Sequence, residues 1–163
     1  MKRMLSFAAA ALWLPIWIAL GADPPQLKEG LWSIHSQTID NPGNKKTESS
    51  STICRSHAYD QHVQSIAKDR KGCTLNESFA GGAYTSEVHC VVAGAAIDTK
   101  GTSVYQGDAS THSESHTTYT PAFAGVSEST MVMDQKYIGS CPAGIQPGDR
   151  TAADGKVTHL WKQ

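Results

Sequence analysis

Four cysteines and the apolar leader that precedes them constrain the fold of this 163-residue chain more than any other feature. The basic pair Lys2 and Arg3 precedes an uncharged run over residues 4–20, and small residues then lead to Ala22. This order is typical of a secretory signal peptide. Secreted chains meet oxidising conditions, so we expect the four cysteines to form two disulfides rather than a metal cage.

The alternative interpretation of the leader is a permanent membrane anchor, since a spanning helix needs about 20 apolar residues. Pro15 lies inside the run, and no basic flank follows it. We therefore expect residues 1–22 to be removed as a signal peptide, which leaves residues 23–163 as a single secreted β-rich domain with no membrane span.

Charge and composition narrow the partners and the fold class. The chain has a formal net charge of −1, and the loss of Lys2 and Arg3 with the leader makes the remainder more acidic. Such a chain lacks a basic surface for phosphates, which excludes nucleic acid as a partner. Serine, threonine and glycine are abundant, and this composition favours sheets with one solvated face.

Alternating patterns predict an antiparallel meander. Residues 31–38 alternate in polarity, with Trp32 on the inward face. The longest strands are predicted over residues 109–119 and 129–138, and a turn is predicted over residues 98–101.

The tightest hairpin signal is the glycine pair at residues 81–82, because both central residues of such a turn adopt positive φ. If this pair forms the loop, Cys73 and Cys90 face each other in a non-hydrogen-bonded pair, where Cα atoms are about 4.5 Å apart. That separation suits a disulfide. Cys54 and Cys141 are then left to each other by elimination.

One helix is predicted over residues 56–72, with a serine cap at its start and a closing glycine at its end. Its apolar stripe contains Tyr59, Val63 and Ile66, and we expect this stripe to face the sheet. The predicted fold is therefore mainly β (α+β). It is a curved antiparallel β-sheet meander with one helix packed on its concave face, between the second and third strands, and two disulfides.

Three segments carry a resemblance to a known family. They are Leu27-Lys28-Glu29-Gly30-Leu31-Trp32, the helix-flanking Cys54 and Cys73, and Tyr137-Ile138-Gly139-Ser140-Cys141-Pro142 followed by Pro147-Gly148-Asp149. Over nearly the whole length after the leader, the chain resembles the bacterial secreted family known as domain of unknown function 3617. The resemblance implies a small periplasmic or secreted β-rich protein of a Gram-negative bacterium, and it supplies no catalytic residues.

The best candidate for a metal site is the set His112, Glu114 and His116, which a strand places on one face with neighbours about 7 Å apart. Two imidazoles and a carboxylate suit zinc, copper or nickel. The two histidines are too distant to share one ion on a straight strand, so the competing interpretation is a hydrated polar face. Met131 and Met133 offer thioethers that suit copper(I), but the alternation predicts that they point inward, away from the histidines.

The sequence contains no nucleophile elbow and no phosphate-binding loop, so we expect a protein that is not an enzyme and needs no metal or other cofactor. The predicted function is that of a secreted or periplasmic non-catalytic module that binds an envelope ligand or protein. The alternative is a periplasmic metal-handling protein that uses His112, His116 and Met131. The sequence leaves the ligand and the oligomeric state open.

Export with cleavage near Ala22 is the first testable prediction. The basic head, the apolar run and the small residues before Asp23 are the features that signal peptidase requires. The intact mass of the protein in the periplasmic fraction is expected to match a chain that starts at or near Asp23. A full-length species in the inner membrane would support the anchor instead.

Overall fold

The computed structural model describes residues 24–161, which form nine strands and one helix. The elements are β1 (Gly30–Asn41), β2 (Lys45–Arg55), α1 (His57–Lys68), β3 (Cys73–Ala80), β4 (Ala83–Val92), β5 (Ala95–Gln106), β6 (Ser110–Phe123), β7 (Val126–Gly139), β8 (Asp149–Ala152) and β9 (Val157–His159). The expected signal peptide, residues 1–22, lies outside the described residues.

The strands form one open, curved sheet with a long crossover. Their spatial order is β3-β4-β5-β6-β7-β1-β2-β8-β9, and neighbouring strands are antiparallel. The connection that carries α1 leaves β2 and enters the edge strand β3, with five strands between the two. It therefore crosses the concave face, which confirms the predicted fold class.

Both predicted disulfides form. Cys73 lies directly opposite Cys90 in the β3–β4 hairpin, with the two Cα atoms 4.0 Å apart. Cys54, near the end of β2, is bonded to Cys141, with Cα atoms 5.6 Å apart. Cys54 comes shortly before α1 and Cys73 shortly after it, so each end of the crossover carries a disulfide.

The hydrophobic core is small and lies beside the start of the helix. It consists of Leu27, Trp32, Ile53 and Tyr59, with Ile34, Tyr105, Tyr137 and Trp161 packed against them. Trp32 is fully buried, and its indole N–H donates to the carbonyl oxygen of Lys28 at 2.8 Å. The ring therefore brings no unsatisfied donor into the core. The inward position of Trp32 confirms the prediction from the alternating polarity of residues 31–38.

The predicted turn over residues 98–101 is wrong. These residues lie inside β5, and the chain turns at residues 93–94, where both residues have positive φ. Cross-strand pairing accounts for the difference, because Asp98 lies across from His89 with its carboxylate 2.6 Å from the ring Nδ1. Residues 98–101 therefore have a composition typical of turns but lie in a strand, with Asp98 on its solvated face.

The helix is shorter than predicted. Ser56 caps it as expected, with its hydroxyl accepting from the backbone N–H of Tyr59 at 3.2 Å. The helix ends at Lys68, however, and Gly72 uses its positive φ in the turn that leads into β3. The short strand β8 is a further element that the sequence pattern did not indicate.

Gly30 is expected to be far less tolerant of substitution than Gly43. Both have positive φ, so alanine is strained at either position. A Cβ at Gly30 would also collide with the carbonyl oxygen of Gly139 and lie 2.8 Å from the Tyr137 ring, whereas a Cβ at Gly43 meets nothing within 4 Å. In urea unfolding, Gly30→Ala is expected to cost about 3 kcal/mol and Gly43→Ala about 1 kcal/mol. Equal losses would contradict the close approach between β1 and β7.

Candidate functional site

The candidate site is a cavity of about 520 Å³ between the helix and the concave face, which we call the helix–sheet cleft. Its lining residues are Pro24, Pro25, Gln26, Leu27, Arg55, His57, Asp60, Gln61, Gln64, Ala67, Lys68, Leu75, Glu77, Tyr84, Ser86, Val88 and Tyr105. They come from the segment before β1, from the end of β2, from the helix, and from β3, β4 and β5. The volume is within the range of small-molecule binding sites in proteins.

The floor of the cleft follows from the register of the β3–β4 hairpin. Leu75 lies opposite Val88, and Glu77 lies opposite Ser86. Directly paired residues share a face, and so do residues two apart on one strand. The floor is therefore an apolar surface with one acidic group set into it.

The rotation of the helix differs from the prediction. Of the expected stripe, Tyr59 is buried in the core, but Val63 and Ile66 are 45% and 55% exposed. The side of the helix that faces the cleft is more polar and includes Gln64 and Lys68. Insertion of Tyr59 into the core fixes this rotation, because a helix can turn only one side toward the sheet.

An ion pair and a hydrogen bond join the end of the helix to the floor. Lys68 Nζ lies 2.9 Å from one carboxylate oxygen of Glu77, and the hydroxyl of Tyr84 donates to the other at 2.7 Å. The hydrogen bond from Tyr84 lowers the pKa of Glu77 most, and the hydrogen bond from Lys68 lowers it further. Burial raises the pKa of Tyr84 most, and its hydrogen bond to Glu77 raises it further. At neutral pH, Glu77 is thus a carboxylate whose two oxygens are both engaged.

A second ion pair closes the opposite end of the cleft. Arg55 Nε donates to Asp60 Oδ1 at 2.9 Å, and a terminal nitrogen donates to Gln135 Oε1 at 3.1 Å. The guanidinium also lies 5.1 Å from the centre of the Trp32 ring. Arg55 is therefore held by a carboxylate, an amide and an aromatic face, which fixes it where the core meets the cleft.

The segment before β1 forms the remaining wall. Leu27 is buried, and its carbonyl oxygen lies 3.0 Å from His57 Nε2. The backbone N–H of His57 donates to Glu29 Oε1 at 2.8 Å. Contacts with the first turn of the helix thus hold this segment in place.

The predicted histidine set lies on the opposite, convex face. His112 Nδ1 lies 2.7 Å from Asp134 Oδ1, and its Nε2 lies 3.3 Å from Glu114 Oε1. These two acidic partners, Asp134 first, raise the pKa of His112. His116 instead contacts the hydroxyl of Thr130 at 3.3 Å. The two histidines therefore have separate partners.

The register places the methionines away from these histidines. Met131 lies across from Ser115 and Met133 across from Ser113, both on the concave face. His112 and His116 alternate with those serines and so belong to the other face. Within residues 24–161, no three His, Cys, Asp or Glu side chains are grouped so that they could hold a metal ion.

A wider and shallower depression of about 700 Å³ lies mainly on the convex face around Gly101. Its lining side chains are hydroxyls, amides and charged groups, such as those of Glu87, Lys100 and His116. It lacks the apolar side chains that supply most of the affinity in small-molecule sites. The helix–sheet cleft is therefore the better candidate.

Sequence reasoning missed the cleft residues, although one of them carries a visible signal. Glu77 stands between Leu75 and Phe79 on the inward face of a strand, where a charged residue is unexpected. Its partner Lys68 comes from the preceding helix, and pairing across that connection depends on how the helix is rotated. The sequence therefore indicates an unusual acid but not its cation.

The fold and the cleft define a small, disulfide-linked antiparallel sheet protein with a helix across its concave face. Residues 27–141 match the family described as a protein of unknown function, DUF3617, and the chain belongs to that family. No curated protein and no solved structure matches the chain significantly. In the part of the chain that the structure describes, no helix is long and apolar enough to span a membrane.

Proposed function

We propose that this protein is a non-catalytic extracytoplasmic binding protein and that the helix–sheet cleft is its ligand site. One observation carries the proposal. The cleft combines an apolar floor at Leu75 and Val88 with polar groups that ion pairs hold in fixed positions. This combination is typical of sites that bind small molecules without transforming them.

The disulfides support a location outside the cytoplasm. All four cysteines are paired, and such pairs persist in oxidising compartments. The apolar leader adds a route of export, and the family resemblance favours the periplasm of a Gram-negative bacterium. The proposed ligand is accordingly a component of the cell envelope.

The chemistry of the cleft favours binding over catalysis. Its two carboxylates, Asp60 and Glu77, each pair with a cation. A general base needs a pKa near the working pH, and the lowered pKa of Glu77 makes it a weak proton acceptor. Metal handling gains no support from the fold, which separates Met131 from His112 and His116.

Filling the cleft is expected to weaken the binding of a neutral apolar dye such as N-phenyl-1-naphthylamine. Val88→Trp adds a large ring to the floor, so the dye is expected to bind at least about tenfold more weakly, measured by fluorescence titration. Val91→Trp is the matched control, because Val91 is on the same strand but is 56% exposed and does not line the cleft.

Both variants are first checked for native far-ultraviolet circular dichroism and for intact disulfides. Equal dye binding by Val88→Trp and Val91→Trp would contradict the assignment of the cleft as the ligand site. Native mass spectrometry of protein purified from its own envelope compartment then identifies what co-purifies with it.

A further inference from the structure

We infer that the ligand of the helix–sheet cleft is an uncharged amphiphile, a molecule with an apolar chain or ring and a polar end without formal charge. The inference rests on the proposed function and adds the chemical class of the ligand. The juxtaposition that carries it is an apolar floor between two ion pairs that are both complete within the protein.

The charged groups of the cleft are already neutralised. Arg55 pairs with Asp60 at 2.9 Å, and both side chains are mostly buried. Lys68 pairs with Glu77, whose second oxygen is occupied by the Tyr84 hydroxyl. A charged ligand group would have to displace one of these partners or remain unpaired in the cleft. Either course carries a free-energy cost that an uncharged group avoids, and this cost is larger at the mostly buried Arg55–Asp60 pair than at the more exposed Lys68–Glu77 pair.

The apolar part of the ligand has a defined place. Leu75 and Val88 form an aliphatic region near the Cys73 end of the floor, and Tyr84 and Tyr105 form an aromatic region toward the hairpin end. The floor thus has space for an extended chain or a ring.

The polar part of the ligand finds uncharged partners. The amides of Gln61 and Gln64 line the helix side of the cleft, and the hydroxyl of Ser86 lines the floor. Amides and hydroxyls both donate and accept hydrogen bonds, so they match hydroxyl, ester or amide groups. A glycerol ester of a fatty acid is a ligand of this class.

Three matched amphiphiles test the inference: monolaurin, laurate and dodecyltrimethylammonium, which share one chain length and differ in charge. Each is titrated below its micellar concentration against protein loaded with N-phenyl-1-naphthylamine. Monolaurin is expected to displace the dye with an affinity at least about tenfold higher than either ion. Equal affinities for the three would overturn the inference.

A single change of charge is expected to switch this preference. Glu77→Gln leaves Lys68 without its carboxylate, so laurate is expected to gain at least about tenfold in affinity relative to monolaurin. Glu87→Gln is the matched control, because Glu87 forms a similar pair with Lys100 at 3.0 Å but lies outside the cleft. If Glu77→Gln does not fold, Lys68→Gln is used, which frees Glu77 and is expected to favour the cationic amphiphile.

The outcomes separate this inference from the proposed function. Suppose that Val88→Trp weakens dye binding. If the three amphiphiles then bind the unmodified protein alike, or if neither Glu77→Gln nor Lys68→Gln alters the preference among them, the cleft is the site but the inferred ligand class is wrong. If Val88→Trp alters nothing, the proposed function fails, and the inference fails with it.

Discussion

The covalent attachment of the crossover at both ends is the constraint on which the rest of the structure depends. The chain leaves β2 one residue after Cys54, which is bonded to Cys141, and enters β3 at Cys73, which is bonded to Cys90. Between these points it passes over the concave face as α1, while five strands separate β2 from β3 in the sheet. The cleft exists because Tyr59 packs into the core while the rest of the helix is held above the sheet.

A small core makes this anchoring necessary. The buried apolar cluster includes Tyr59 from the first turn of the helix, but Val63 and Ile66 in its second half are exposed. Elsewhere the concave face carries hydroxyl pairs, such as Ser103 with Ser113 at 2.8 Å. Such a surface contributes little to the hydrophobic stabilisation of the helix, so the disulfides supply what burial does not.

The sequence predicts local features well where one short pattern decides them. The glycine pair at residues 81–82 sets the register of its hairpin, and that register brings Cys73 opposite Cys90. Ser56 marks the start of the helix because a cap depends only on the next few residues. The alternating polarity of residues 31–38 is also a local pattern, and it correctly predicts that Trp32 points inward.

Features that depend on distant partners are not predicted. The rotation of the helix is set by Tyr59 in the core and by the contact of Asp60 with Arg55, so the apolar spacing of Val63 and Ile66 was misleading. The same cause explains the wrong turn at residues 98–101, where cross-strand pairing overrides a turn-like composition. The residues that line the cleft were missed because they come from separate segments of the chain.

Hydrogen exchange of the helix, followed by mass spectrometry, tests the central claim most directly. Cys73→Ala combined with Cys90→Ala releases the end of the crossover while the β6–β7 hairpin keeps its own ladder. The account predicts that backbone amides over residues 61–68 exchange at least about tenfold faster in this variant, with exchange in β6 and β7 unchanged. Unchanged exchange in the helix would show that the disulfide does not hold the crossover in place.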